Sequence, residues 1–343
     1  MTTPGPLVSV VIPNWNGRKF LTECLDSLKE QTFRDFEAIL VDNGSTDGSA
    51  ELAEERYGGF LRIIRNTKNL GYTGGNNIGI RSAKGKYIVL LNNDTLVEPT
   101  WLEELVKAVG PDPRVGMWAS KVHSYSRRNQ IEAVGELIYW DGLNRARGQY
   151  EMDNGQYEKM EEIFFPPGCG GMFRKAVFDE IGLFDEDFFA YGDDAEIGIR
   201  ARLAGWKCFY VPKAILYHKN SGSTGQYSPF KAFYVERNRF WITIKYFPLS
   251  LLILSFFFTL SRFTLQAYGA LTHQGAAGRF TEIYSPFRLV GILFRAYVSG
   301  FLCLPRMWKK RQALKALRKV TYEEFFSWFK RFGISVKEIS LRN

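Results

Sequence analysis

Three carboxylates fall within four positions in the stretch YGDDAEIGIRARLAGWK, residues 191–207: Asp193, Asp194 and Glu196, with Arg200 and Arg202 close behind. A carboxylate held beside an attacking hydroxyl can take its proton, so acids at this spacing are candidates for general-base chemistry. The same residues have a plainer use. Aspartate at the start of a helix accepts free backbone N–H groups and opposes the helix dipole. On that reading Ile197, Ala201 and Ala204 form one apolar stripe, both arginines stay solvated, and Gly205 stops the helix. Other polar groups gather at turns: Pro13, Asn14 and Asn16, then Asp42, Asn43 and Ser45, then Asn92, Asn93 and Asp94. The glycines of GYTGGNN, residues 71–77, fit a loop passing close to a ligand, yet they form neither a GxGxxG dinucleotide fingerprint nor a Walker P-loop. Hydride transfer and P-loop NTP hydrolysis are therefore disfavoured.

The elements that must position these residues follow from hydrophobic period. LVSVVIP (7–13) reads as a buried strand and KFLTECLDSLKEQT (19–32) as an amphipathic helix with Phe20, Leu21, Cys24, Leu25 and Leu28 inward. FEAILVD and the helix AELAEERY repeat the scheme, and LRIIRNT and KYIVLLNND add strands. Strands alternating with helices predict an α/β fold with a mostly parallel sheet flanked by helices. In such sheets ligands bind beyond the carboxyl ends of the strands, where the three polar turns lie. At 343 residues and 45% hydrophobic, the chain can bury a full core. Cys24, Cys169, Cys208 and Cys303 form no CxxC pair, so neither a zinc site nor a disulfide framework is expected. No signal peptide is expected either, because the start is polar and the first apolar run is only a strand long.

In order along the chain, VSVVIPNWNG, VDNGSTDGS, NLGYTGGNN, YIVLLNNDT, PPGCGGMFRKAVFDEIGLFDEDFFAYGDDAEIGIRARLAG and YHKNSGST resemble an inverting family 2 glycosyltransferase of the GT-A type over roughly residues 7–240. Within that family the look is nearest to rhamnosyltransferase-like enzymes of bacterial and archaeal surface polysaccharide. The resemblance implies a Rossmann-like nucleotide-sugar fold, with Pro13, Asn14, Asn16, Asp42, Asn43, Gly71, Asn76, Asn92 and Asn93 around the nucleotide and Asp42 bonded to a pyrimidine base. It implies Asp94 as ligand to Mg²⁺ or Mn²⁺, since LNND stands where the family has DxD. Asn92 replaces the first acid of that element and brings no charge. His218 would complete the metal site or be a structural histidine at a strand end. Gly170 and Gly171 would admit donor sugar and acceptor or serve tight packing, Asp193 would orient the acceptor or cap the helix, Asp194 would be the general base, and Glu196 would be structural.

The positive charge is concentrated in the tail. Residues 301–343 carry 11 Lys or Arg against 3 Glu, within a total net charge of +9. FPLSLLILSFFFTL (247–260) is apolar but short of a span, which needs ~20 residues, and Arg262 and Gln266 interrupt it. PFRLVGILFRAYVSGFLCLP (286–305) precedes RMWKKRQALKALRKV (306–320), which has seven basic residues and no acid. An apolar face beside a basic one predicts a helix lying in an anionic lipid interface; soluble packing, a homodimer interface and a spanning hairpin are the alternatives. Nucleic acid is not an expected partner, since no recognised binding module accompanies the charge. The expected organisation is a catalytic domain over residues 1–240 and a membrane-associated helical region over 241–343. The expected function is inverting transfer of a sugar such as rhamnose from a dTDP- or UDP-linked donor to a lipid-linked or surface glycan at the cytoplasmic membrane face, the protein being peripheral or monotopic. A nucleotidyltransferase, or a non-catalytic nucleotide- or glycan-binding protein, is the alternative.

Overall fold

The computed structural model describes residues 5–219, 225 and 227–342, so the end of the YHKNSGST motif, residues 220–224, lies outside the described residues. The chain divides into two compact units: Met1–Gly135, Ala146–Ala201 and Trp206–Ser223 in one, and Glu136–Arg145, Arg202–Gly205 and Thr224–Asn343 in the other. Two short segments from earlier in the chain, Glu136–Arg145 and Arg202–Gly205, thus belong to the second unit.

The first unit opens with β1 (Val8–Asn14), α1 (Arg18–Lys29), β2 (Phe36–Asp42), α2 (Ser49–Tyr57), β3 (Leu61–Arg65), α3 (Gly71–Ser82) and β4 (Tyr87–Leu90). It continues with β5 (Thr95–Val97), α4 (Trp101–Lys107), β6 (Val115–Ser124) and β7 (Ile131–Ala133). β8 (Glu136–Ile138) and β9 (Asn144–Ala146), which fall largely in the second unit, form a separate small sheet. Next come β10 (Glu161–Ile163), β11 (Gly171–Arg174), α5 (Lys175–Ile181), α6 (Asp193–Leu203) and β12 (Lys207–His218). Among the described residues the main sheet runs β10-β12-β6-β11-β4-β1-β2-β3, with β5 on β12 and β7 on β6. β1 pairs in parallel with β2 and β4, β2 with β3, and β6 with β12. β11 is inserted antiparallel between β4 and β6. The long strands therefore all point the same way, and their carboxyl ends share one edge.

Both faces of the sheet are covered, which explains strands that are apolar throughout rather than alternating. On one face Val8, Val10 and Ile12 pack with Leu21, Cys24, Leu25 and Leu28 of α1 and with Trp101 and Leu105 of α4. Val11, on the other, meets α3 so closely that a Cβ on Gly79 would lie 2.2 Å from Val11 Cγ1. This corrects the loop expected over residues 71–77, which is the first half of helix α3. Glycine is a poor helix former, but here it lets helix backbone approach strand backbone, and that packing outweighs propensity. Gly71 begins the helix at φ +73, where a Cβ would also lie 2.4 Å from Phe189 O.

The expectation of solvated arginines behind the acid cluster is likewise corrected. Arg200 is buried, donates to Ile181 O (2.9 Å) and Leu183 O (2.7 Å), and pairs with Glu196 at 2.8 Å one helical turn away. Arg202 is also buried, its guanidinium 5.3 Å from the ring centre of Phe332. Their long stems and fixed partners let both sit inside without an unpaired charge.

The second unit holds α7 (Pro229–Tyr246), α8 (Leu249–Thr272), α9 (Gly275–Ile283), α10 (Pro286–Leu302), α11 (Leu304–Leu314), α12 (Tyr322–Arg331) and α13 (Val336–Leu341). Arg262 and Gln266 do not interrupt α8, which continues for 24 residues. Arg262 is accommodated because it is buried and paired, its Nε 2.6 Å from Asp141 Oδ2 and its Nη2 2.9 Å from Glu236 Oε1. Burial opposes the charge on Glu236, but Arg239 and Arg262 prevail and hold its carboxyl down to about 2. Between α10 and α11 the helix axis bends by 58°.

The packing of α3 on β1 yields a test. Replacing Gly79 by alanine should lower stability in chemical denaturation, because overpacking typically costs about 1–3 kcal/mol against a propensity gain of at most about 1 kcal/mol. An exposed loop would gain stability from the same change.

Candidate active site

The parallel register brings Asn14 and Asp42 side by side at the ends of β1 and β2. Asn14 is buried, and its amide nitrogen lies 3.0 Å from Asp42 Oδ1, 2.9 Å from Ser49 Oγ and 3.2 Å from Ser45 Oγ. Its oxygen accepts from Asn93 Nδ2 at 2.7 Å. One side chain thus joins the polar turns after β1, β2 and β4. Asp42 also accepts from the Ser45 backbone N–H at 3.1 Å. Asn16, at φ 50, sits further out and accepts from Thr46 N at 2.8 Å. Asn43 works inward instead, donating to Gly71 O (3.0 Å) and accepting from Asn66 (2.9 Å), which ties α3 to the strand end beside Pro13. Asn76 donates to Tyr72 O at 3.0 Å, while its buried side-chain oxygen has no partner.

The third polar cluster lies beside the end of β12, because β5 pairs Thr95 with His218. Asp94 Oδ1 and His218 Nε2 stand 3.2 Å apart, and Asn92 Nδ2 is 3.4 Å from the same ring nitrogen. His218 Nδ1 faces Glu132 Oε1 at 2.6 Å. Burial alone would lower the pKa of this imidazole, yet Glu132 and Asp94 raise it well above the ordinary histidine value. The donor set suits a hard divalent cation: one carboxylate, one imidazole, and the Asn92 side-chain oxygen, which is buried without a hydrogen-bond partner. Among the described residues no three acidic, histidine or cysteine side chains converge into a self-sufficient cage. A cation held there would draw its remaining ligands from water or a bound ligand.

The acid cluster that begins α6 is split by burial. Asp193 is buried, and this, with the neighbouring Asp194 charge, pushes its carboxyl well above the usual range. Asp194 is half-buried and lines a small crevice with Tyr72, Pro167 and Gly168. Glu196 is committed to Arg200. Gly170, at φ +70, has no room for a side chain, since a Cβ would lie 2.2 Å from Leu216 Cδ2 and 3.1 Å from Ser120 Oγ; packing accounts for it. Gly171 starts β11 and meets the ring of Pro166. The thiols of Cys24 and Cys169 are buried and pushed up to about 12, so neither is a nucleophile.

Three residues joined to this edge escape sequence reasoning. Ser49 is the first residue of α2, Tyr72 donates to Gly168 O at 2.6 Å across 96 positions, and Glu132 sits in a three-residue strand with no motif around it. Only Ser49, at the end of the turn that also holds Asp42, carried a local signal.

Asn14→Ala would strip Asn93, Asp42 and Ser49 of a shared partner. Leaving buried polar groups unsatisfied costs about 1–3 kcal/mol, so chemical denaturation should register a loss of about that size. Asn14→Asp, although isosteric, should be no better, because it sets a second carboxylate against Asp42.

Comparison with known proteins agrees with this geometry. The glycosyl transferase family 2 model matches residues 9–182, about half of the chain. Glycosyltransferase GlyG of Streptococcus pneumoniae is 28% identical over 227 residues, covering 63% of this chain and 72% of that protein. An N-acetylglucosaminyl-diphospho-decaprenol L-rhamnosyltransferase of Mycobacterium tuberculosis is 28% identical over 251 residues, covering 66% and 79%. Among solved structures, GalNAc-T7 with UDP, GalNAc and Mn²⁺ aligns with a TM-score of 0.56 at 20% identity, over 68% of this chain and 47% of that one. The mannosyltransferase PcManGT of Pyrobaculum calidifontis, in complex with GDP-Man and Mn²⁺, aligns with a TM-score of 0.52 at 16% identity, over 89% and 88%. The fold is thus that of GT-A transferases, and with a parallel sheet whose strand ends gather these polar groups, the chain belongs to glycosyl transferase family 2 and is a glycosyltransferase.

Proposed function

We propose that this glycosyltransferase moves a sugar, with inversion, from a UDP- or dTDP-linked donor onto a lipid-linked glycan at the cytoplasmic face of the cell membrane, in a reaction that needs Mg²⁺ or Mn²⁺. The observation that carries this is the convergence, at one sheet edge, of the Asn14–Asp42 pair, the Asp94–His218 pair and the half-buried Asp194. The mycobacterial relative, whose name specifies a rhamnosyl group and a decaprenol-linked acceptor, favours rhamnose and a polyprenyl diphosphate carrier. Mn²⁺ in the two structural neighbours is consistent with the divalent cation.

Each residue then has a task. Asp42, held by Asn14, accepts from the N–H of a pyrimidine base. Asp94 and His218, with Asn92, hold the cation, which when bound neutralises charge on the departing diphosphate. Asp194 takes the proton of the acceptor hydroxyl as that oxygen attacks the anomeric carbon from the face opposite the leaving group. One base is sufficient, and no covalent intermediate forms. Asp193, whose burial favours the protonated form, does not compete for that proton.

General-base catalysis typically contributes 10²–10⁴-fold, so Asp194→Asn should lower kcat by about that factor in an assay of nucleoside diphosphate release, with donor affinity and thermal unfolding retained. Asp193→Asn should do far less. Wild-type turnover by Asp194→Asn would sink the assignment, and release of pyrophosphate would point to a nucleotidyltransferase.

The second unit supports the membrane location. α8 is the one helix among the described residues long and apolar enough to cross a bilayer, with mean hydropathy 1.5 and 17% of that window buried. Ile253, Phe256, Phe257 and Leu260 on α8 and Phe287, Val290, Phe294 and Leu302 on α10 are all more than half exposed. Beside them α11 carries basic residues without an acid, the complement of an anionic lipid surface. The buried pairs of Arg262 with Asp141 and Glu236 favour an in-plane helix over a span, since pulling α8 away would strand charges inside, at about 3–5 kcal/mol for a broken pair. The protein should therefore bind vesicles containing phosphatidylglycerol in flotation assays, partly released by high salt, and Phe256→Glu with Phe257→Glu should abolish binding while leaving thermal unfolding unchanged. Extraction by detergent alone would indicate a span, and absence of binding a soluble or dimeric packing.

A further inference from the structure

Glu132 belongs to no recognisable motif, yet its carboxylate faces the inner nitrogen of His218 at 2.6 Å. A carboxylate can only accept, and Glu132 makes the shorter contact, 2.6 Å against 3.2 Å from Asp94 to Nε2, so Nδ1 donates to Glu132 and Nε2 is the nitrogen left for a cation in the crevice. That second nitrogen is the one beside Asp94 Oδ1 and Asn92. The three side chains therefore form a line, Glu132 to His218 to Asp94.

The support for Glu132 is rigid. Strand β7 pairs with β6 through Ala133 with Val122 and Ile131 with His123. On its other side Ile131 N donates to Glu151 O at 2.8 Å, and Tyr150 N donates to Ile131 O at 2.9 Å. Backbone bonds on both flanks thus fix the glutamate. Its second oxygen is buried with no hydrogen-bond partner. A carboxylate recruited only to satisfy a buried histidine would more usually have both oxygens paired.

We propose that Glu132 is a positioning residue of the metal site, holding His218 in the Nδ1–H tautomer and in the ring orientation that presents Nε2 to a divalent cation shared with Asp94. Its charge also strengthens the imidazole as a ligand, the role that carboxylates play behind metal-binding histidines. The inference rests on the metal-dependent function proposed above. It adds a residue whose effect reaches the reaction only through His218.

Mn²⁺ affinity in the presence of UDP, read from the electron paramagnetic resonance signal of free Mn²⁺, tests it for the full chain and for Glu132→Ala, Glu132→Gln and His218→Ala. Loss of such an outer partner typically costs 10–100-fold in metal affinity, so Glu132→Ala should weaken Mn²⁺ by about that factor while metal-free thermal unfolding stays near wild type. Glu132→Gln, which keeps an acceptor oxygen, should recover most of the affinity, and His218→Ala should be at least as weak as Glu132→Ala. Wild-type affinity in Glu132→Ala beside weak binding in His218→Ala would overturn the positioning role alone. Equal affinity in all four proteins would overturn it together with the metal assignment of His218. A fall in metal-free unfolding that Glu132→Gln does not restore, with unchanged affinity, would make the glutamate purely structural.

Discussion

The amide of Asn14, at the end of β1, bonds to Asp42 at the end of β2, to Ser49 at the start of α2 and to Asn93 in the turn beyond β4, and the geometry of that edge depends on it. With Asp42 and Ser49 on one side and Asn93 on the other, a single buried side chain spans the polar turns after β1, β2 and β4. Polar groups are costly to bury unless each finds a partner. Here the partners are one another, so the cluster is stable only when all of its members are in place. This interdependence sets the spacing between the Asp42 turn and the LNND turn, since a shift of either strand would break bonds on both sides of Asn14.

Burial divides labour among the acids of α6. Asp193 and Asp194 are adjacent in sequence, yet one is enclosed and shifted toward its neutral form while the other lines the crevice. Two carboxylates held in different environments are how a protein assigns an ionised and a protonated role at the same pH. Glu196 is removed from this competition by Arg200, whose further bonds to Ile181 O and Leu183 O anchor α6 against the end of α5.

In the second unit a similar contrast separates inside from outside. Asp141, Glu236, Arg239 and Arg262 form a buried, charge-balanced cluster, closed by Tyr297, whose hydroxyl reaches Glu236 at 3.0 Å. The outward faces of α8 and α10 are apolar and aromatic. Polar groups inside and apolar groups outside reverse the usual arrangement of a water-exposed helical unit. The proposed lipid interface would make that reversal favourable.

Much of the fold was legible in local pattern. The apolar runs located β1, β2, β3 and β4, and the polar residues after them marked the edge where Asn14, Asp42 and Asp94 meet. Parallel pairing, inferred from the alternation of strands and helices, was enough to bring those turns together. Helix α3 was not legible, because its glycines are explained only by the approach of Val11 and Phe189, residues remote in the chain. The burial of Arg200 and Arg202 was equally hidden, since charge predicts solvent until a partner such as Glu196 or Phe332 is seen to enclose it. The same holds for the tail, where Arg262 read as an interruption until Asp141, 121 positions earlier, supplied its counter-charge. Glu132 lies 86 positions from His218 and gave no local sign at all. Sequence by itself determined that the segments of β1 to β4 are strands and that polar turns follow β1, β2 and β4, because period and turn chemistry act between near neighbours. Which charges are buried, which glycines are packing contacts and which carboxylate stands behind His218 were decided only by tertiary structure, because each depends on a contact between residues that the chain keeps far apart.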